Sequence, residues 1–226
     1  MNWKDEVLKL ANFNYDIFNK LENYVDLVIE NNKKFNLTGF DEEKIWEEGI
    51  YQSIVLLDSY LSKFKNIKVL DIGAGAGFPS VPYLIFANNC FELTIIESNL
   101  KRINFLKLIK TSLNLNINLI YERAENAKQF EEFDFITARA VTSLKNLIEI
   151  SAHLGKINAT YFFLKSKKYE LELAEANWIF NELKLTNLKI KSFDLRDGKE
   201  HYVISYQKKH STPKKYPRNW ATIIKK

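Results

Sequence analysis

KVLDIGAGAGFPSVPYLIFA, residues Lys68 to Ala87, joins three different patterns in one stretch. A short apolar run reaches Asp71, glycine recurs at positions 73, 75 and 77, and an apolar segment of helical character follows. Glycine at a strand-to-helix turn lets the backbone bend sharply and approach a ligand with no Cβ in the way. The next apolar run, FELTIIE, closes on Glu97, 20 residues after Gly77. There a carboxylate can accept hydrogen bonds from both hydroxyls of a ribose.

Outward from this pair the pattern repeats. The runs IKVLDI, FELTIIE, INLIYE, FDFITAR and ATYFFLK alternate with helix-length segments near 79–89, 99–114, 142–154 and 168–184. Such alternation predicts a doubly wound α/β fold, a parallel sheet covered by helices on both faces. Two further runs, LKIKSFDL and HYVISYQK, lie close together and predict an antiparallel hairpin closing a mostly parallel, seven-stranded sheet. Before the sheet, apolar residues recur at helical spacing from Trp3 to about Glu30 and again from Glu42 to Ser62. The expected organisation is an N-terminal helical cap (1–64), a Rossmann-like core (65–208) and a basic tail (209–226), together one globular unit.

Composition narrows the function. Of 226 residues, 46% are hydrophobic and 27% charged, an ordinary soluble balance. No apolar run approaches the ~20 residues of a membrane helix, and the N-terminus has no signal-peptide pattern. The single cysteine, Cys90, forms no internal disulfide and no zinc cluster, as expected in a reducing cytoplasm. No metal site is expected. Net charge is +5, and Lys208 to Lys226 carries seven Lys or Arg and no acid. Such a tail suits a polyanionic partner or simple solubilisation.

The loop discriminates between nucleotide cofactors. A dinucleotide fingerprint needs G-x-G-x-x-G, and the third glycine position holds Phe78. Asp71 repels a pyrophosphate but suits the ammonium of a methionine moiety. S-adenosylmethionine, cationic at sulfur, fits this acid-lined loop better than NAD. S-adenosylmethionine is therefore the expected cofactor of the Rossmann-like core. At the third strand end, RAEN (Arg123–Asn126) offers Glu125 to an adenine amino group or to solvent.

These residues resemble the RsmG (GidB) methyltransferases, which methylate guanine N7 in 16S ribosomal RNA. The resemblance covers NLT at Asn36–Thr38, DIGAGAGFPSVP at Asp71–Pro82, IESNLKRINFL at Ile96–Leu106 and RAE at Arg123–Glu125. It continues through FDFITARAVTSL at Phe133–Leu144, Lys165, and KYPR at Lys215–Arg218. It implies cofactor contacts at Gly73, Phe78, Glu97, Ser98, Ala124, Glu125 and Arg139; Asp71, Gly75 and Gly77 join them from the reading of the loop. It also implies 16S ribosomal RNA or the small subunit as partner. The chain departs from the family where W-E-R-H-I-L-D-S-L is usual: here WEEGIYQSI places Gly49 and Gln52 at the His and Asp positions. Glu200 stands where the family usually has Arg.

Missing groups limit the chemistry. Pyrimidine C5 methylation needs a thiol nucleophile, and Cys90 precedes the second strand, on the wrong side of the sheet. Amine methylation usually uses an (Asp/Asn)-Pro-Pro-aromatic turn, where this chain has ARAV. Guanine N7 offers an unprotonated in-plane lone pair, so no general base is required and none of His153, His201 and His210 is assigned to catalysis. Arg139 can hold the cofactor carboxylate, an RNA phosphate, an acidic neighbour or guanine O6. Lys165 can meet phosphate or belong to a solvated cluster. In the tail, Lys214, Lys215, Tyr216 and Arg218 combine cations with an aromatic, a composition that neutralises phosphate and stacks on bases. The protein is expected to act as a monomer. Competing readings are a small-molecule methyltransferase, a non-catalytic RNA-binding assembly factor that keeps the cofactor fold, and a nicotinamide oxidoreductase.

Overall fold

A computed structural model describes residues 2–195, 198 and 200–225; Lys226, counted in the basic tail, lies outside them. The strands follow the order β3-β2-β1-β4-β5-β7-β6 in one seven-stranded sheet. They are β1 (Lys68–Ile72), β2 (Glu92–Glu97), β3 (Ile117–Tyr121), β4 (Phe133–Arg139), β5 (Gly155–Lys165), β6 (Leu185–Asp194) and β7 (Glu200–Lys208). All pairings described are parallel except those of β7, which runs antiparallel to both β5 and β6. Strand order reverses at β1, the switch point at which open α/β sheets bind ligands beyond their carboxyl ends. The chain divides into two units: residues 1–66 with 74–121, and residues 67–73 with 122–226.

In the first unit, asparagines start the first two helices. Asn2 caps α1 (Trp3–Leu10) by accepting from the Lys4 amide, and Asn14 caps α2 (Tyr15–Asn32) by accepting from Asp16 and Ile17. Each cap satisfies amide donors that the first helical turn leaves open, worth about 1 kcal/mol. Along α2, Leu21, Tyr24, Val25 and Val28 are buried at the i, i+3, i+4, i+7 spacing of an amphipathic helix. The helix expected over 42–62 is more complex. Asp41 caps a short α3 (Glu42–Lys44), the backbone widens into a π-helix over Ile45–Tyr51, and α4 (Gln52–Leu61) resumes the ordinary pitch. Apolar periodicity marks such a segment as helical but does not separate 3.6 residues per turn from the wider winding. Helix α5 (Ser80–Phe86) leaves the glycine loop, and α6 (Leu100–Ser112) connects β2 to β3.

In the second unit, β5 starts at Gly155 rather than at the expected Ala159, with a register shift against β4 between Phe133 and Phe135. Its apolar face packs as an aromatic layer: Tyr161 stacks on Tyr206 at 4.8 Å, with Phe163 and Phe180 edge-on to Tyr206. Offset and edge-on ring pairs of this kind add roughly 0.5–1.5 kcal/mol each beyond area burial. Helices α7 (Leu144–Ser151) and α8 (Tyr169–Glu182) cover this part of the sheet, and α9 (Trp220–Ile223) ends the described chain.

Candidate functional site

Within the first unit, the carboxylate that closes β2 organises the glycine loop. Glu97 is only 3% exposed; its Oε1 accepts from the Asn99 amide at 2.9 Å and its Oε2 from the Gly75 amide at 3.2 Å. Arg102 Nη1 lies 3.8 Å from Oε2. A carboxylate offers about four lone-pair sites, so two backbone donors leave acceptor capacity for two hydroxyls. Tyr24 fixes the loop from the α2 side, its hydroxyl donating to the Ala76 carbonyl at 2.7 Å.

The glycines divide the work. Gly75 has φ +60°, and a Cβ there would meet nothing closer than Arg102 Cζ at 3.9 Å. That is an ordinary van der Waals distance, so packing does not demand this glycine; its positive φ does. At Gly77 a Cβ would fall 2.8 Å from Val81 Cγ2 and 2.9 Å from the Tyr24 hydroxyl. That glycine is demanded by packing of the loop on α5 and α2. Gly73, in the second unit, is likewise tight, with Val141 Cγ2 at 2.8 Å from an added Cβ.

Phe78 is buried among aromatic neighbours, edge-on to Tyr24 at 5.9 Å and tilted on Phe40 at 6.0 Å. A Cβ at Gly49, inside the π-helix, would lie 2.7 Å from Phe78 Cζ. The position at which this chain carries no side chain is thus filled by the Phe78 ring. Gly49→Ala should destabilise by about 1–3 kcal/mol through overpacking, and the penalty should shrink in a Phe78→Leu background. Urea unfolding of the four proteins of that cycle measures it; equal penalties in both backgrounds would refute the packing account. Ser98 is exposed in the turn before Asn99, whose side chain caps α6 through the Lys101 and Arg102 amides.

In the second unit, Asp71 is fully buried on β1 opposite Thr137 of β4, and half-buried Arg139 ends β4 opposite Leu164 of β5. Ala124 and Glu125 sit in a 3₁₀ turn, Ala124–Asn126, after β3. The Glu125 carboxylate is held by Arg123 Nε, and the Arg123 guanidinium lies 4.6 Å over the Trp220 ring of α9.

The predicted RNA-contacting cations are mostly engaged inside the protein. The Lys165 side chain is 8% exposed; its Nζ donates to Glu172 Oε2 at 2.7 Å and to the Thr142 carbonyl at 3.1 Å. Glu172 also accepts from the Leu144 amide at 2.7 Å, so the trio fixes the start of α7. Arg218 donates through Nε and Nη2 to the two oxygens of Glu149, both at 2.7 Å, and Glu149 is 1% exposed. Lys215 pairs with Glu182 at 2.5 Å and Tyr216 is buried. Lys214 is exposed, with no carboxylate partner among the described residues, at the rim of a pocket of about 640 Å³ shared with Glu125, Phe130 and His153.

His153 is buried; its Nε2 lies 3.2 Å from the Ala127 carbonyl, and burial pushes its pKa down to about 4. It stays neutral in the folded protein while the unfolded chain protonates near the ordinary value of 6.5. Stability should therefore fall as pH drops from about 6.5 towards 4, by up to roughly 3 kcal/mol from this group. Urea titrations across that window should show a shallower pH slope for His153→Gln than for the wild type; parallel slopes would refute the assignment.

Comparison with known proteins identifies the family. The family described as GidB, rRNA small subunit methyltransferase G, matches residues 17–202. This chain belongs to that family. It is 45% identical over 210 residues to ribosomal RNA small subunit methyltransferase G of Mycoplasmopsis pulmonis, covering 92% of this chain and 91% of that protein. To the Lactococcus lactis strain SK11 protein of the same name it is 38% identical over 232 residues, covering 98% and 97%. Among solved structures, a SAM-dependent methyltransferase from Aquifex aeolicus superposes with a TM-score of 0.54 at 17% identity, covering 74% of this chain and 94% of that one. At such identity the likeness speaks for the fold, a Rossmann-like class I methyltransferase.

Four residues of this family member escape sequence reasoning. Tyr24 continues the Leu21–Val28 stripe, so its burial is legible but its hydroxyl's partner is not. Arg102 follows the capping Asn99, and only the folded turn brings it back over Gly75 and Glu97. Glu149 reads as a helix-surface acid until Arg218 meets it 69 residues later. Trp220 lies in the tail, with no sequence signal linking it to Arg123.

Proposed function

We propose that this protein transfers a methyl group from S-adenosylmethionine to N7 of a guanine in 16S ribosomal RNA. The observation that carries the reading is the buried Glu97 carboxylate, tied to the Gly75 and Asn99 amides with acceptor capacity left over, in a chain of the methyltransferase G family. Curated relatives bear the name ribosomal RNA small subunit methyltransferase G.

When bound, S-adenosylmethionine supplies an electrophilic methyl carbon on a sulfonium. Glu97 accepts hydrogen bonds from the ribose hydroxyls with the lone pairs its backbone donors leave. The Gly75 backbone admits close contact, and Gly73 and Gly77 hold the loop's shape. Asp71 receives the ammonium, Ala124 and Glu125 serve the adenine, Ser98 borders the ribose, and Phe78 supports the loop from within the core. Arg139 positions an anionic group of cofactor or substrate. The reaction asks for alignment rather than proton transfer, because guanine N7 presents its lone pair in the ring plane at neutral pH. Proximity and orientation can supply roughly 7–11 kcal/mol of such a barrier. N7 of a paired guanine faces the deep, narrow groove of A-form RNA, so the target is a base in an exposed loop. We further read the protein as a cytoplasmic monomer, which light scattering on the purified chain checks for oligomeric state.

The test uses radiolabelled S-adenosylmethionine with small subunits from cells lacking the protein, followed by mass mapping of the modified nucleotide. Label in 16S RNA as 7-methylguanosine is the expected result. Label only on a small metabolite, or binding of both ligands without turnover, would overturn it.

A further inference from the structure

Binding a polyanion requires cations that the protein has not already neutralised, because affinity and its salt dependence come from counterions released as free Lys and Arg meet phosphate. In the tail that condition is met only in part: Lys208, Lys215 and Arg218 each pair with a carboxylate of the second unit, while Lys209 and Lys214 are exposed with no carboxylate partner among the described residues. Helix α6 of the first unit is different. Between Ser98 and Tyr121 the sequence contains no Asp or Glu, while α6 carries Lys101, Arg102, Lys107 and Lys110. Arg102 is turned towards Glu97, but Lys101, Lys107 and Lys110 are exposed and have no carboxylate partner among the described residues.

Their placement on the helix adds to this. Ile103, Phe105, Leu106 and Ile109 face the core, so the solvent side is formed by Lys101, Asn104, Lys107, Leu108 and Lys110. Leu100 and Leu108 are exposed on it, 51% and 40%. A surface of free ammonium groups, an amide and two apolar side chains matches the chemistry of RNA, in which phosphates alternate with sugars and bases. It also grows out of the turn that carries Glu97 and Asn99, so an anchored strand lies along the helix whose first turn borders the proposed ribose site.

We propose that this face of α6 docks the phosphate backbone of the substrate RNA, with Lys101, Lys107 and Lys110 as the contacts. The proposal rests on the reading of the protein as an RNA methyltransferase and names the surface that reading leaves open.

The test compares the wild type, the triple variant K101A/K107A/K110A and a control, K63A/K65A, which removes exposed charges elsewhere in the same unit. Binding to protein-free 16S RNA from undermethylated subunits is measured across a salt series, with S-adenosylmethionine affinity and thermal midpoint beside it. The triple variant should lose about tenfold or more in RNA affinity, and its log–log salt slope should flatten by about 2, some 0.7 per lost contact. Its cofactor affinity and midpoint should match the wild type, and the control should bind RNA normally. A triple variant with an unaltered slope, or a control equally impaired, would overturn the proposal. So would normal binding and methylation of protein-free RNA combined with failure on assembled subunits, which would assign the face to a ribosomal protein. Failure of the wild type itself to bind or methylate RNA would instead sink the functional reading, a result the wild-type arm reports separately.

Discussion

Glu97→Ala should lower affinity for S-adenosylmethionine by about 10²–10⁴-fold. The side chain is proposed to accept two hydroxyl hydrogen bonds, and hydrogen bonds to a charged group are worth roughly 1.5–3 kcal/mol each. The same change orphans the Gly75 and Asn99 amides, which now donate to the carboxylate at 3.2 and 2.9 Å, so the loop itself should loosen. Glu97→Gln separates the two effects. An amide keeps the shape but turns one acceptor into a donor, so stability should suffer less while affinity still falls about tenfold or more. Isothermal calorimetry and thermal unfolding of both variants provide the check. A Gln variant that binds cofactor as the wild type does would remove Glu97 from the site.

Arg218→Ala should be among the most destabilising single changes in the second unit. It would leave the Glu149 carboxylate, 1% exposed, without the guanidinium that meets it at 2.7 Å through two donors. Removing one partner of a buried pair costs about 3–5 kcal/mol, because the remaining charge stays buried and uncompensated. Arg218→Lys should recover only part of this, since an ammonium cannot reproduce the two-pronged geometry. Glu149→Gln with Arg218→Ala should be milder than Arg218→Ala alone. Urea unfolding of the set decides the matter. If Arg218→Ala unfolds like the wild type but binds RNA with a flatter salt slope, the residue contacts substrate instead.

Sequence patterning carried the fold far. Alternating apolar runs and helical segments gave the strands and the antiparallel closure, because each strand buries a short continuous run and each helix a stripe. Gly75 and Glu97 were legible as a pair for the same reason: strand ends in this architecture have fixed places. Other parts depended on contacts that patterning does not encode. The glycines at 73 and 77 look equivalent to Gly75, yet their spacing says nothing of Val141 or Val81 beside them. Lys165, Lys215 and Arg218 read as cations available to a partner because their carboxylates, Glu172, Glu182 and Glu149, lie on helices with no local cue to the pairing. Phe78, a cofactor contact by resemblance or else a core side chain, has its ring against Gly49 of the π-helix, a contact no local pattern encodes.

The placement of Lys208 has a consequence for biosynthesis. Its buried Nζ donates to Glu131 and to the Ala152 and Gly155 carbonyls, partners made 77, 56 and 53 residues earlier. β1, made early, belongs to the same unit. A nascent chain that has not yet delivered Lys208 therefore holds these oxygens without their cation, and the second unit closes only once translation has passed that lysine. Truncated intermediates stalled before that point should be protease-sensitive between β4 and β5, and resistance should appear abruptly once the lysine emerges.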